Sequence, residues 1–250
     1  IFDVDTCRQN LMAEYRQTRS KLTLLPGMPE ECADMEDLYV ELDLLEEEKT
    51  PTEVKIKKKM HSSDELLTLR NKNGTLSKRI LVRGGPGSGK SCTISKLAYD
   101  WANGKVVPGV SEISLLFALD LREIQKGMNL IDAIQDQLLP KCSKDMLTSY
   151  IETHSKSVVF LLDGFDEASN IPQCGDIKYL LSSRWLQDSV VIVTTRSNKV
   201  ATFVSAYGMY VHNQLAGFSM EHMKEYVLRF LQMKPYSQYI SIIYKYHIRI

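Results

Sequence analysis

Ile80-Leu81-Val82-Arg83-Gly84-Gly85-Pro86-Gly87-Ser88-Gly89-Lys90-Ser91 is the stretch on which the reading of this chain turns. It opens on a short apolar run of strand type and then breaks at the glycines. A helical stripe follows, in which Ile94, Leu97, Ala98 and Trp101 recur at three- and four-residue steps. Residues 84–91 match the P-loop pattern in full and stand between a predicted strand (80–82) and a predicted helix (91–101), the context that motif requires. Glycines let the backbone turn sharply and bring successive N–H groups against phosphate oxygens, and the helix directs its positive end at the same charge. Gly84, Gly85, Pro86, Gly87, Ser88, Gly89 and Cys92 are therefore expected to cradle a nucleotide. Lys90 is expected to reach its β- and γ-phosphates, and Ser91 to offer a hydroxyl to Mg2+.

Two further strand ends carry chemistry. Val158-Val159-Phe160-Leu161-Leu162-Asp163-Gly164-Phe165-Asp166-Glu167 is an apolar strand ending in an acid, a Walker B pattern that delivers the Asp163 carboxylate to a metal at the sheet edge. Asp166 and Glu167, just beyond, are candidates to orient an attacking water or accept its proton. Val190-Val191-Ile192-Val193-Thr194-Thr195-Arg196 is another buried strand with polar residues at its end. If it lies between the P-loop strand and the Asp163 strand, Thr195 and Arg196 sit beside the γ-phosphate, where a fixed cation distinguishes triphosphate from diphosphate.

Short apolar runs alternate with helical stretches from Leu76 onward, the signature of a largely parallel sheet covered on both faces. Further strands are predicted at 113–119 and 210–215, and helices at 130–139, 146–151, 179–185 and 219–231, the last with Ser219 as N-cap. Upstream, Leu11, Met12 and Tyr15 share one helical face within 3–20, and Pro26, Gly27 and Pro29 end that segment. Leu38, Val40, Leu42 and Leu44 alternate as in a short strand, ahead of the acidic run 46–48. The run of Lys55, Lys57, Lys58 and Lys59 reads as solvated linker or helix surface. Ser62 and Glu65 have capping-box spacing and predict a helix carrying Leu66, Leu67 and Leu69. The organisation expected is a flanking region at 1–75, mostly helix and linker; an NTPase core at 76–218; and the start of a helical subdomain at 219–250.

The chain has 250 residues, with Lys plus Arg and Asp plus Glu balanced at 31 each, so no global field draws it to nucleic acid. Five cysteines, odd in number and without metal-ligand spacing, fit reduced thiols in a cytoplasmic protein. No apolar run is long enough to span a bilayer. The start at Ile1 rather than Met reads as a piece of a longer polypeptide.

Residues 84–91, the string Leu161-Leu162-Asp163-Gly164-Phe165-Asp166-Glu167, Thr194-Thr195-Arg196-Ser197, and Leu215-Ala216-Gly217-Phe218-Ser219 ahead of a helix with Tyr226 together resemble a NACHT domain. This is the nucleotide-binding module of the NOD-like receptors, within the signal-transducing ATPases. The resemblance covers 76–231, and its most specific part is Asp-Gly-Phe-Asp-Glu following a P-loop. It implies an α/β P-loop NTPase fold with a five-stranded parallel sheet and helices on both faces. Helical and winged-helix subdomains would follow the sheet, the latter, with a His that touches nucleotide, lying past Ile250. It also implies a switch that is closed with ADP and open with ATP, and that self-associates to recruit a signalling adaptor the sequence does not identify. The tail 236–250, rich in Tyr and Ile, does not continue the expected helical subdomain. Two function classes remain open: a regulatory switch with slow, resetting hydrolysis, or a turnover ATPase such as an AAA-like motor or small-molecule kinase. The Arg-rich lid of a kinase and the arginine finger of a ring motor are not evident, which favours the switch. A pseudo-NTPase that binds without hydrolysing is a third reading, and Asp166 and Glu167 argue against it.

Overall fold

A computed structural model of the chain describes residues 2–25, 28–49, 54–71, 73–105, 107, 112–171, 174–208 and 210–233. The tail 236–250 and the break at Pro26 and Gly27 lie outside the described residues. In chain order come α1 (Val4–Thr18), the strands β1 (Lys21–Leu25) and β2 (Met28–Asp34), α2 (Met35–Leu38), and the strands β3 (Asp43–Lys49) and β4 (Val54–Met60). Then follow β5 (Arg79–Gly84), α3 (Lys90–Ala102), β6 (Leu115–Asp120), α4 (Leu130–Gln137), α5 (Lys144–Thr153) and β7 (Val158–Asp163). The chain continues through α6 (Gly175–Leu181), β8 (Val190–Arg196), α7 (Val200–Tyr207), β9 (Val211–Gly217) and α8 (Met220–Met233). Among the described residues no helix is long and apolar enough to cross a membrane.

The main sheet runs β4-β3-β9-β5-β8-β7-β6. Its stretch from β9 to β6 is parallel throughout and is the five-stranded sheet expected; β3 and β4 add antiparallel strands that widen it to seven. Strands buried on both faces need unbroken apolar runs, and Ile80-Leu81-Val82, Leu115 to Leu119 and Val158 to Leu162 are such runs, every one of these residues buried. Because the strands are parallel, Gly84, Asp120, Asp163 and Arg196 all finish at one edge of the sheet. That edge is where open α/β sheets bind ligands.

The region 1–75 departs from the expectation of helix and linker. α1 forms as predicted, with Leu11, Met12 and Tyr15 buried. The acidic and basic runs, however, are two paired strands, because their charges are complementary across the hairpin: Lys57 Nζ meets Glu46 at 2.7 Å and Lys59 Nζ meets Asp43 at 3.0 Å. The alternating segment 38–44 enters the sheet only at Asp43. Leu38, Val40 and Leu42 are buried by packing outside the ladder, which alternation alone does not separate from strand pairing. At Ser62 the two-way capping box is not made. Glu65 accepts from the His61 N–H at 2.7 Å, Ser62 Oγ turns to Asp64, and a short 3-10 helix, Ser63–Thr68, replaces the expected α-helix while still burying Leu66 and Leu67. The helix expected at 179–185 lies earlier, over Gly175–Leu181, and Ser183 with φ +57 turns the chain away after it. Helix α7 was not anticipated; Phe203 in it packs edge-on against Phe165 and Tyr210, at 4.9 and 4.8 Å between ring centroids.

An edge strand leaves backbone groups unpaired, and β6 is the edge of the parallel part. Here two side chains substitute for the missing neighbour. The Tyr15 hydroxyl donates to the Leu116 carbonyl and accepts from the Ala118 N–H, both at 2.9 Å. Gln137 accepts from the Asp120 N–H at 2.8 Å and donates to its carbonyl at 3.0 Å. Tyr15 is fully buried, so Tyr15→Phe strips partners from two backbone groups that water cannot reach. Urea unfolding of that variant is expected to show a loss of about 1–3 kcal/mol, with little change in the dependence on urea; an unchanged midpoint would mean that the edge has other partners.

Candidate functional site

The P-loop leaves β5 at Gly84 and enters α3 at Lys90. Gly89 caps the helix with φ +93, a left-handed conformation, and a Cβ there would also collide with Leu42 Cδ1. Glycine at that position is required by the left-handed backbone, and a side chain there would also have to displace the tip of Leu42. Lys90 folds over its own loop, donating to the carbonyls of Gly84 at 3.2 Å and Gly85 at 2.8 Å. Ser88 Oγ is buried without a partner among the described residues.

Opposite the loop, Asp163 ends β7 with 8% of its surface exposed. Thr194, on the neighbouring strand β8, donates its hydroxyl to Asp163 Oδ1 and accepts from the Gly164 N–H at 2.9 Å. This hydrogen-bonded relay fixes both the carboxylate and the turn that follows. Gly164 adopts φ +79, which only glycine takes readily, and sends the short 3-10 helix Phe165–Glu167 back toward β8. Phe165 anchors that turn edge-on against Phe203 and Tyr207.

The acids so placed meet Arg196. Its Nε lies 2.8 Å from Asp166 Oδ2, its backbone N–H donates to Asp166 Oδ1 at 3.0 Å, and its Nη2 reaches Glu167 Oε1 at 2.9 Å. Glu167 also faces Arg122 Nη1 at 3.4 Å. Arg122 is in turn held by Asp120, whose two oxygens accept from Nε at 3.0 Å each. That hydrogen bonding pushes the Arg122 guanidinium above its ordinary value. Burial works to raise the Asp120 carboxyl, but the bonds from Arg122 outweigh it and hold the group below the usual carboxylate range.

These groups enclose a cleft of about 320 Å³ lined by residues 86–92 with Arg122, Asp163, Gly164, Asp166, Glu167 and Arg196. Pro86, Gly87, Ser88, Gly89, Lys90, Ser91, Cys92, Asp163, Asp166, Glu167 and Arg196 are therefore brought together. Gly84 and Gly85 lie behind the cleft, reached through Lys90, and Thr195 is buried away from it. A second, mostly apolar cleft of about 210 Å³ shares Gly87, Ser88, Gly89 and Cys92, and is walled by Tyr39, Val40, Leu42, Phe218 and Tyr226. The pair has the amphiphilic shape of a nucleotide. Glycine N–H groups, a helix N-terminus and Lys90 suit phosphates, the oxygens of Ser91 and Asp163 suit a hard divalent cation, and the adjoining cleft suits a flat apolar ring system.

Arg122, Asp120 and Thr194 were missed from the sequence. The available signal was Asp120 itself, an acid at the end of a predicted strand, directly followed by an Arg two residues on. The sequence points to Thr195 rather than Thr194 as the residue facing the site, because a strand's facing is set by its register, which sequence alone does not supply. Thr194→Val keeps the shape of the side chain but leaves the buried Asp163 oxygen and the Gly164 N–H without their partner. Denaturant unfolding is expected to show a loss of about 1–3 kcal/mol; equal stability would mean that Asp163 is held otherwise.

The NACHT domain model matches residues 78–234. Among similar proteins, Baculoviral IAP repeat-containing protein 1 of Homo sapiens is 31% identical over 138 residues, 54% of this chain and 10% of that protein. NLR family CARD domain-containing protein 4 of Xenopus tropicalis is 26% identical over 176 residues, 69% of this chain and 17% of its own length. NACHT, LRR and PYD domains-containing protein 10 of Mus musculus is 25% identical over 158 residues, 59% and 21% of the two chains. The chain thus matches between a tenth and about a fifth of the length of these relatives. The matched region holds the P-loop, the Asp163 strand, the Arg196 strand and α8, and with it this chain belongs to the NACHT family of P-loop NTPases.

Proposed function

We propose that this chain is the ATP-binding switch domain of a NOD-like-receptor-type signalling protein, in which nucleotide exchange and slow hydrolysis control self-association. The observation that carries the reading is the position of Arg196, whose guanidinium is held by Asp166 and Glu167 at the rim of the phosphate cleft. A cation held by two acids is a two-state element: a third anion of the right reach competes for it. ADP lacks the γ-phosphate and leaves Arg196 with the acids; ATP draws it away. A ligand shifts a conformational equilibrium only through such a difference in affinity between the states.

Lys90 exchanges the carbonyls of Gly84 and Gly85 for phosphate oxygens, and Ser91 with Asp163 would hold Mg2+, which would supply charge neutralisation to the phosphates. Once Arg196 has moved, the oxygens of Asp166 and Glu167 that it held can orient a water and take its proton, while Arg122 still faces Glu167. Chemistry therefore waits on the sensor, which suits slow hydrolysis serving as a reset. The setting proposed is cytoplasmic innate immune or stress signalling, with nucleotide and further copies of the domain as partners and an adaptor of unspecified identity.

Lys90→Ala removes the phosphate-binding cation and is expected to reduce ATP affinity by about tenfold or more; calorimetry giving the wild-type affinity in the folded variant would overturn the nucleotide site. Arg196→Ala is expected to erase a preference for ATP over ADP of roughly thirtyfold, since loss of a charge-assisted pair costs about 2–3 kcal/mol. ADP affinity should stay within a few-fold, which serves as the control for folding. An equal loss for both nucleotides would make Arg196 a structural residue.

A further inference from the structure

Arg83 precedes the P-loop by one residue and ties four segments together. Nε donates to Glu47 Oε2 on β3 at 2.8 Å, and Nη2 closes the bidentate pair on Oε1 of the same carboxylate. Nη2 also donates to Gln214 Oε1 on β9 at 3.0 Å, directly across the ladder, where Arg83 and Gln214 are register partners. Nη1 donates to Ser197 Oγ at 3.2 Å, on the short 3-10 helix that follows β8. Ser197 is the residue after Arg196, and Arg196 is the register partner of Gly84. One guanidinium therefore links the flanking hairpin, the P-loop strand and the residue adjoining the sensor cation.

The pair has the character of a fixed joint rather than a surface contact. The Glu47 side chain is 2% exposed and that of Arg83 is 22% exposed, so solvent screens the pair little. Hydrogen bonding to the Glu47 carboxylate pushes the Arg83 guanidinium above its ordinary value, so the cation keeps its charge. Bidentate Arg–carboxylate geometry fixes direction as well as distance, which a lysine at 83 would not do. With Nε and Nη2 bound to Glu47, Nη1 is aimed at the exposed hydroxyl of Ser197.

We infer that Glu47 and Arg83 are positioning residues for the nucleotide sensor: through Ser197 they hold the turn that carries Arg196, so that the flanking hairpin biases the choice between triphosphate and diphosphate. The inference rests on the switch reading of Arg196. It gives the β3–β4 hairpin a role in discrimination even though neither Glu47 nor Arg83 lines the phosphate cleft. Anything that shifts the hairpin shifts the sensor.

The test is calorimetric titration of this chain with MgATP and with MgADP, for Ser197→Ala, Glu47→Gln and Arg196→Ala, singly and with each of the first two combined with the third. Ser197→Ala cuts only the link to the turn and leaves the buried pair intact, so it carries the test if Glu47→Gln fails to fold. Each of the two is expected to lower the ATP-over-ADP preference by about threefold, less than the full worth of a hydrogen bond to a charged group because neither residue touches the nucleotide, with ADP affinity unchanged. In the Arg196→Ala background neither should lower it further. If Arg196→Ala lowers the preference and Ser197→Ala does not, this inference is wrong and the switch reading stands. If Arg196→Ala itself has no effect on the preference, both fall together. A loss in Ser197→Ala that adds in full to that of Arg196→Ala would show that Ser197 acts by another route, and also overturns the proposal.

Discussion

The insertion of β8 between β5 and β7 is the constraint on which the site depends. Parallel pairing puts Gly84 beside Arg196 on one side and Leu162 beside Val193 on the other. With that register, the strand that begins the P-loop, the strand that ends in Asp163 and the strand that ends in Arg196 finish side by side at one edge. A slip of one residue in β8 would turn Thr194 away from Asp163 and exchange which of Thr194 and Thr195 faces the acid. The hydrogen bond from Thr194 to Asp163 is thus the ladder's register expressed as chemistry.

Around that edge the charges are balanced rather than uniformly basic. Lys90, Arg122 and Arg196 face Asp163, Asp166 and Glu167 across the phosphate cleft. Each cation already has acceptors within the protein: carbonyls for Lys90, Asp120 for Arg122, and Asp166 with Glu167 for Arg196. Entry of a polyanion therefore exchanges partners instead of filling an unmet demand, and the net preference is a difference between two well-satisfied arrangements. Such a site is suited to small, reversible biases between states. Arg196 is half-exposed, but the side chain of Asp166 is 5% exposed, so the guanidinium leaves it only where another hydrogen-bond donor takes its place.

The parallel core was legible because its signals are local and redundant. Unbroken apolar strands, a P-loop between strand and helix, and an Asp-Gly-Phe-Asp-Glu string each point to the same edge of the same sheet. What escaped was set by long-range pairing. The Lys run 55–59 has the composition of a solvated surface, and it becomes a strand because Glu46 and Asp43 lie across from it, a relation that sequence periodicity does not encode. Arg122 was missed for a related reason: its role follows from Asp120 standing beside Asp163 in the ladder. The capping-box spacing at Ser62 and Glu65 shows the converse error, in which a correct local pattern yields to competing partners, Asp64 and the His61 N–H.

The region before the P-loop is better described as a wall of the site than as a flank. Leu42 occupies the space a side chain at Gly89 would need, and Tyr39, Val40 and Leu42 form the apolar cleft together with Phe218 and Tyr226 from the far end of the core. Residues some 180 positions apart in sequence therefore converge on the same loop. A polar contact joins them: Arg229 of α8 donates to the Tyr39 carbonyl at 2.8 Å. No residue of α8 is fully buried, while Met220, Met223, Val227 and Leu228 on it are exposed. An element held by a few polar contacts, with little apolar burial to lose, is the one whose displacement costs least.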